Sequence, residues 1–87
     1  MVATIIRLLG QEASVGTAGS DFSGNKLIRV YNSNGGDVLL TVKDNATPTP
    51  NTLGTVTVKA GETIYVNKAG TDVLSAASAC KMVAVAF

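Results

Sequence analysis

The stretch Lys26–Lys43, KLIRVYNSNGGDVLLTVK, decides how the chain is read. Its apolar residues alternate, with Ile28 and Val30 on one face and Leu27, Arg29 and Tyr31 on the other. After a break they alternate again, Val38, Leu40 and Val42 against Leu39, Thr41 and Lys43. A period of two marks a strand that buries one face. The break contains Asn-Gly and Gly-Gly, which tolerate the positive φ angles of tight hairpin turns. The stretch therefore predicts two strands, Lys26–Asn32 and Asp37–Lys43, joined as an antiparallel hairpin.

The same grammar continues downstream. LGTVTVKAG points Val56 and Val58 inward with Thr55, Thr57 and Lys59 outward, and ETIYVNKAG repeats the pattern through Ile64 and Val66. Both end on Lys-Ala-Gly, which reads as strand–turn punctuation. Gly61 turns the chain between Val58 and Ile64 into a second expected hairpin, and Gly70 turns it after Val66. A phosphate loop does not fit, because the Gly-Lys-Ser/Thr ending is absent. In DNATPTPNT, Pro48 and Pro50 lack an N–H, so this is an exposed loop and not a central strand. TDVLSAASA breaks the period. Thr71 or Asp72 is placed to cap a short helix or turn through Leu74 and Ala77. CKMVAVAF closes the chain as a strand, Val83, Val85 and Phe87 against Met82, Ala84 and Ala86.

Upstream, Val2–Leu9 is apolar on both faces, as in a central or covered strand. Gly10–Asn25 holds four glycines in sixteen residues and one aromatic, Phe22. It reads as a long Gly/Ser-rich loop, functional or flexible. The fold expected is all-β, a compact antiparallel β-sandwich or small barrel of about six strands. At most one short helical turn is expected, near Asp72–Ala77.

With 87 residues the chain is one domain with a thin core. Cys80 is the sole cysteine and histidine is absent, so neither a disulfide within the chain nor a structural zinc site can brace it. Self-association or docking onto a larger assembly is the remaining route to more burial. Charged residues are 15% of the chain and the net charge is +1. No basic stripe is available for phosphates, so nucleic acid is not an expected partner. The low charge fits a surface covered by protein, or one rich in Thr, Ser and Asn. The apolar N-terminus is short and interrupted by Arg7, so neither a signal peptide nor a spanning helix is expected, and no membrane.

Chemistry is sparse. Without histidine, Ser-His and Cys-His nucleophiles are excluded. Cys80 begins an apolar strand and reads as a small buried hydrophobe. Glu12, Asp21, Asp37, Asp44, Glu62 and Asp72 all fall in loops or beside turns, where carboxylates are ordinarily solvated or capping. A hydrolase would need two of them to converge. Asp44 and Asn45 offer only a fragment of a calcium loop. No catalytic, metal or cofactor site is expected. Tyr31 and Tyr65 fall on outward faces, as a cross-strand pair or a platform for sugar rings.

KLIRVYN leading into the break, then KAGETIYVNKAGTDVLSA, then VAVAF, resembles small structural proteins of tailed phages, particularly marine cyanophages. The likeness covers Lys26–Phe87, about 70% of the chain. It implies a late virion protein, a capsid decoration or cement protein that binds assembled major capsid protein. Such copies cluster at local symmetry axes, commonly as trimers, and the virion is assembled in the bacterial cytoplasm. Binding the mature lattice would stabilise the head by mass action. The expected contacts are Asp21 and Phe22, anchoring the Gly10–Asn25 loop as it orders, and Ile5 and Arg7 on a strand that pairs with a neighbour's sheet edge. The alternative is a tail or fibre-associated module that recognises host surface glycans through the tyrosines.

Overall fold

The structure, a computed structural model, describes residues 5–46 and 49–86. These form eight strands: β1 (Arg7–Leu8), β2 (Ala13–Val15), β3 (Leu27–Tyr31), β4 (Val38–Lys43), β5 (Thr52–Val58), β6 (Thr63–Asn67), β7 (Val73–Ala76) and β8 (Cys80–Ala86). They build two antiparallel sheets. In the first, β8 pairs with β1 and β2 along one edge and β3 along the other, and β3 pairs on to β6. In the second, β4 lies between β5 and β7. The all-β fold expected from the alternation is observed, and of the two architectures expected, sandwich and small barrel, it is the sandwich, with eight strands where about six were expected.

The core lies between the sheets. Ile28 and Val30 of β3 and Met82 and Ala84 of β8 meet Val38 and Leu40 of β4, Val58 of β5, and Leu74 and Ala76 of β7. The inward faces predicted for β3 and β4 are those observed, with Val42 only half-buried at the margin. On β8 both faces are buried, because Val83 and Val85 are covered on the outer side as well. Over Val83 the cover is an ion pair. Arg29 sits opposite Val83 on β3. Its guanidinium reaches 3.4 Å to Glu12, just before β2 on the far side of β8.

The strand pairing corrects both expected hairpins. β3 pairs with β6 and β8, whereas β4 pairs with β5 and β7. The chain therefore changes sheets after β3, and again between β5 and β6. A two-residue hairpin turn of the Asn-Gly type needs positive φ at its centre. Gly61 has it (φ 78°), but Gly35 and Gly36 do not. Asn32 directs the chain instead. It is fully buried, and its Nδ2 donates to the carbonyls of Gly36 and Val58, 2.9 Å each. Its Oδ1 accepts from the Asn34 N–H at 2.9 Å. Its backbone N–H donates to Glu62 O and its carbonyl accepts from Gly61 N–H, so both crossings are fastened at one residue. The consecutive strands that do form a hairpin are β4 and β5, joined by the loop that carries Pro50. Pro48 lies outside the described residues.

Three further expectations change. TDVLSAASA holds strand β7, not a helical turn. Leu74 and Ala76 point inward, and Val73 and Ser75 pair outward beside Lys43 and Thr41. The single helical turn is a 3-10 turn at Phe22–Gly24. Gly10–Asn25 is not a free loop either: β2 pairs with β8, and Gly16 and Ser20 bond to the backbone of β7 at Ala76 and Leu74. That segment closes the sandwich along the β2/β7 side. Finally, the N-terminal strand is at an edge and not central, because among the described residues β1 pairs only with β8. Val2–Thr4 and Phe87 lie outside the described residues.

Candidate functional site

Each of the six carboxylates has a partner in a turn or on a strand, and two of them, Asp21 and Asp72, act on the same lysine, Lys68. Glu12 holds Arg29. Asp21 accepts from Ser23 N–H, and Asp37 from Ala60 N–H. Asp44 accepts from the N–H groups of Ala46 and Asn51 and from the Asn51 side chain. The Asn51 backbone donor, then its side chain, then Ala46 hold the Asp44 carboxyl below its ordinary range. No group of three acidic or cysteine side chains that would hold a metal occurs among the described residues.

The two Lys-Ala-Gly copies have a shared mechanical meaning. In the first, Glu62 N–H donates to Lys59 O while the Glu62 side chain accepts from Lys59 N–H. In the second, Asp72 N–H donates to Ala69 O while the Asp72 side chain accepts from Ala69 N–H. An acid three residues on closes each turn, shifted by one position between the copies. At Gly70 any side chain would press on Gly24 O, since a Cβ there would lie 2.9 Å from it. The second lysine is different again. Lys68 is buried, and its Nζ donates to the carbonyls of Asp21 (2.8 Å), Ala69 and Gly70 (3.3 Å each). Desolvation pushes its pKa down, against the upward pull of the Asp21 and Asp72 carboxylates. It ties the end of β6 to the 3-10 turn. Sequence alone gave no sign that one lysine of five is interior.

Of the four expected contact residues, two are used within the fold. Asp21 caps the 3-10 turn, and its carbonyl receives Lys68. Phe22 adopts φ 55°, uncommon for a bulky residue, and its ring packs half-buried against the core. The other two, Ile5 and Arg7, are exposed at the β1 edge. Ile5 is 83% exposed and Leu8 64%.

The opposite side of the sandwich is open. Among the described residues β5 pairs only with β4 and β6 only with β3, so their outer edges carry no strand. Between them runs a groove of about 660 Å³, lined by Leu53 and Gly54 of β5 and by Asn67 and Lys68 at the end of β6. It continues as an apolar trough of about 210 Å³ over Leu40, Val42, Val56 and Val66. Leu53 and Val56 are 57% and 48% exposed, although Val56 was expected to point inward. It does face inward, opposite Leu40, but no strand lies beyond it.

The outer face of the first sheet carries the two tyrosines. Tyr65 is opposite Arg29 and Tyr31 opposite Thr63, so the rings occupy diagonal positions on neighbouring strands. Burial raises the Cys80 thiol pKa, as suits a core hydrophobe. No protein-family model, curated protein or solved structure matches the chain.

Proposed function

We propose that this chain is a structural protein of a phage virion, a capsid decoration protein that binds assembled major capsid protein and stabilises the head. The observation that carries this reading is where its large exposed apolar side chains lie. Among the described residues six of seven sit at edge strands, Ile5, Leu8 and Leu9 at β1, Leu53 and Val56 on β5 and Tyr65 on β6; Leu39 is the other. Edges dressed this way invite strand or side-chain docking by protein. The resemblance of Lys26–Phe87 to tailed-phage structural proteins supplies the partner. A lattice of copies holding one another and the shell would raise the work of disrupting the head by mass action.

The test is the copy number of the chain in purified particles, by quantitative mass spectrometry against the major capsid protein. Hundreds of copies per particle are expected from the proposal, as roughly one per lattice position. Absence from particles overturns it.

The diagonal tyrosines favour a second reading, a tail or fibre-associated module for host glycans. A handful of copies per particle, with glycan binding lost in Tyr65→Ala, would select it.

A further inference from the structure

We propose that the free edge of β5 seats the N-terminal strand of a second copy of this chain, Ile5–Leu9, in a head-to-tail contact. This deepens the oligomeric part of the reading above. It requires no capsid, so the two can fail separately.

Three observations converge on it. First, β5 is an edge strand without the usual protection. Thr52–Val58 contains no charge and no proline, and its one irregularity is the bulge at its start, opposite Val42 and Lys43. Second, among the described residues β1, like β6, is a bare edge as well. It is bonded only to β8, and it shows apolar side chains on both faces, Ile5 and Leu8. Third, the two edges match in spacing. Ile5 and Leu8 are three residues apart, and so are Leu53 and Val56. In an antiparallel ladder paired positions sum to a constant. Setting Ile5 opposite Val56 then sets Ile6 opposite Thr55 and brings Leu8 to Leu53, the residue that the bulge leaves without a partner on β4. Arg7 falls opposite Gly54, where even an added Cβ would meet nothing within 4 Å. The one charge on the incoming strand thus meets the one position with no side chain.

Topology makes the contact intermolecular. β1 lies on the far side of β8, and β5 borders the groove shared with β6. A protomer therefore cannot fill its own trough with its own β1 while β1 stays on β8. Because donor and acceptor are different surfaces, the contact is heterologous and closes as a ring when the rotation permits.

The experiment is light-scattering mass on the full chain across a concentration series, for wild type, Ile5→Asp/Leu8→Asp and Val56→Asp, whose like charges keep the altered donor off the altered acceptor. The wild type is expected to assemble and each variant to remain monomeric. An equimolar mixture of the two variants retains one intact donor and one intact acceptor, so it should form a one-to-one pair. Ile5→Cys mixed with Val56→Cys should cross-link on oxidation, and neither should cross-link alone. These mild substitutions at exposed sites report the contact even if a charge variant fails to fold. A wild type that stays monomeric at every concentration overturns the proposal. So does assembly that survives Ile5→Asp/Leu8→Asp, or Val56→Cys cross-linking to itself, which would mean β5 pairs with β5.

Discussion

β8 and β5 are both seven-residue strands of modest residues, CKMVAVA and TLGTVTV, and their fates are opposite. β8 is flanked along both edges and covered on both faces; Cys80 and Met82 through Val85 are all buried. On β5 only Val58 is buried. β5 is held along one edge by β4 and clasped at both ends, with its other edge open. Asn32 grips the Val58 carbonyl where the strand finishes, and Asp44 and Asn51 clasp the loop where it begins. Position in the sheet order, and not hydrophobicity, separates the two. A strand held by its sides is fixed by packing. A strand held along one edge and at its ends keeps its other edge available to a partner.

Substitution should expose this difference most strongly at the middle of each strand. Met82→Ala removes a fully buried side chain and should destabilise by about 2–5 kcal/mol. Val56→Thr, on half-exposed β5, should change stability by less than about 0.5 kcal/mol. Urea unfolding of both variants gives the comparison, and similar losses would break it.

The next largest effect is at the β5 anchor. Asn32→Ala strips the Val58 carbonyl of its partner in a buried site, and the part-buried Gly36 carbonyl and Asn34 N–H of theirs. A loss of about 2–3 kcal/mol is expected. Hydrogen exchange should localise it, with protection falling at the end of β5 and in Gly61 while the β8 amides slow and unfold only globally. Uniform loss across both strands would mean that β5 is not separately anchored.

A smaller and pH-dependent effect is expected at Lys68, which borders the groove beside β5. Its folded pKa lies below the ordinary lysine value of 10.5, because burial disfavours the charge. Between those two values the unfolded chain binds more protons than the folded one, so stability rises with pH through that window. Measured against Lys68→Met to cancel the other lysines and tyrosines, the wild type should gain as pH climbs toward 10.5. A relative loss over that range would show that the carbonyl cage favours the charged ammonium by more than burial opposes it.

The alternation made β3, β4, β6 and β8 legible as strands, along with the inward faces of β3 and β4. It could not show pairing, because Asn-Gly and Gly-Gly permit a tight turn without requiring one. The competing demand was long-range: the Asn32 side chain needs Val58, which is 26 residues away in sequence. β7 escaped notice because four residues supply only two inward positions, Leu74 and Ala76, too few to tell a period of two from a helical turn. Gly10–Asn25 escaped because its structure is made by backbone bonds to β7 and β8, to which composition is blind. At the candidate contacts, the apolar N-terminus read as a central or covered strand, so the edge position that leaves Ile5 and Arg7 exposed was not legible. Phe22 turned inward through a left-handed backbone that no local residue preference announces.

The smallest effect expected lies at the start of β5. Asp44 accepts three hydrogen bonds as a carboxylate, and its folded pKa is depressed below 3.8. A depressed carboxyl contributes stability above its unfolded value and loses it as pH falls through the folded one. Asp44→Asn keeps the shape and weakens the acceptor, so its deficit should be present at neutral pH and vanish in acid, below the folded value. Because the group is exposed to solvent, the deficit should shift the urea midpoint less than Asn32→Ala does. The two clasps of β5 are then unequal, a dry one at its end and a wet one at its start. β5 should therefore fray from Thr52, which hydrogen exchange would register as faster amides in Thr52–Gly54 than in Thr57–Val58. Faster exchange at the Asn32 end would reverse that order and make the carboxylate the firmer hold.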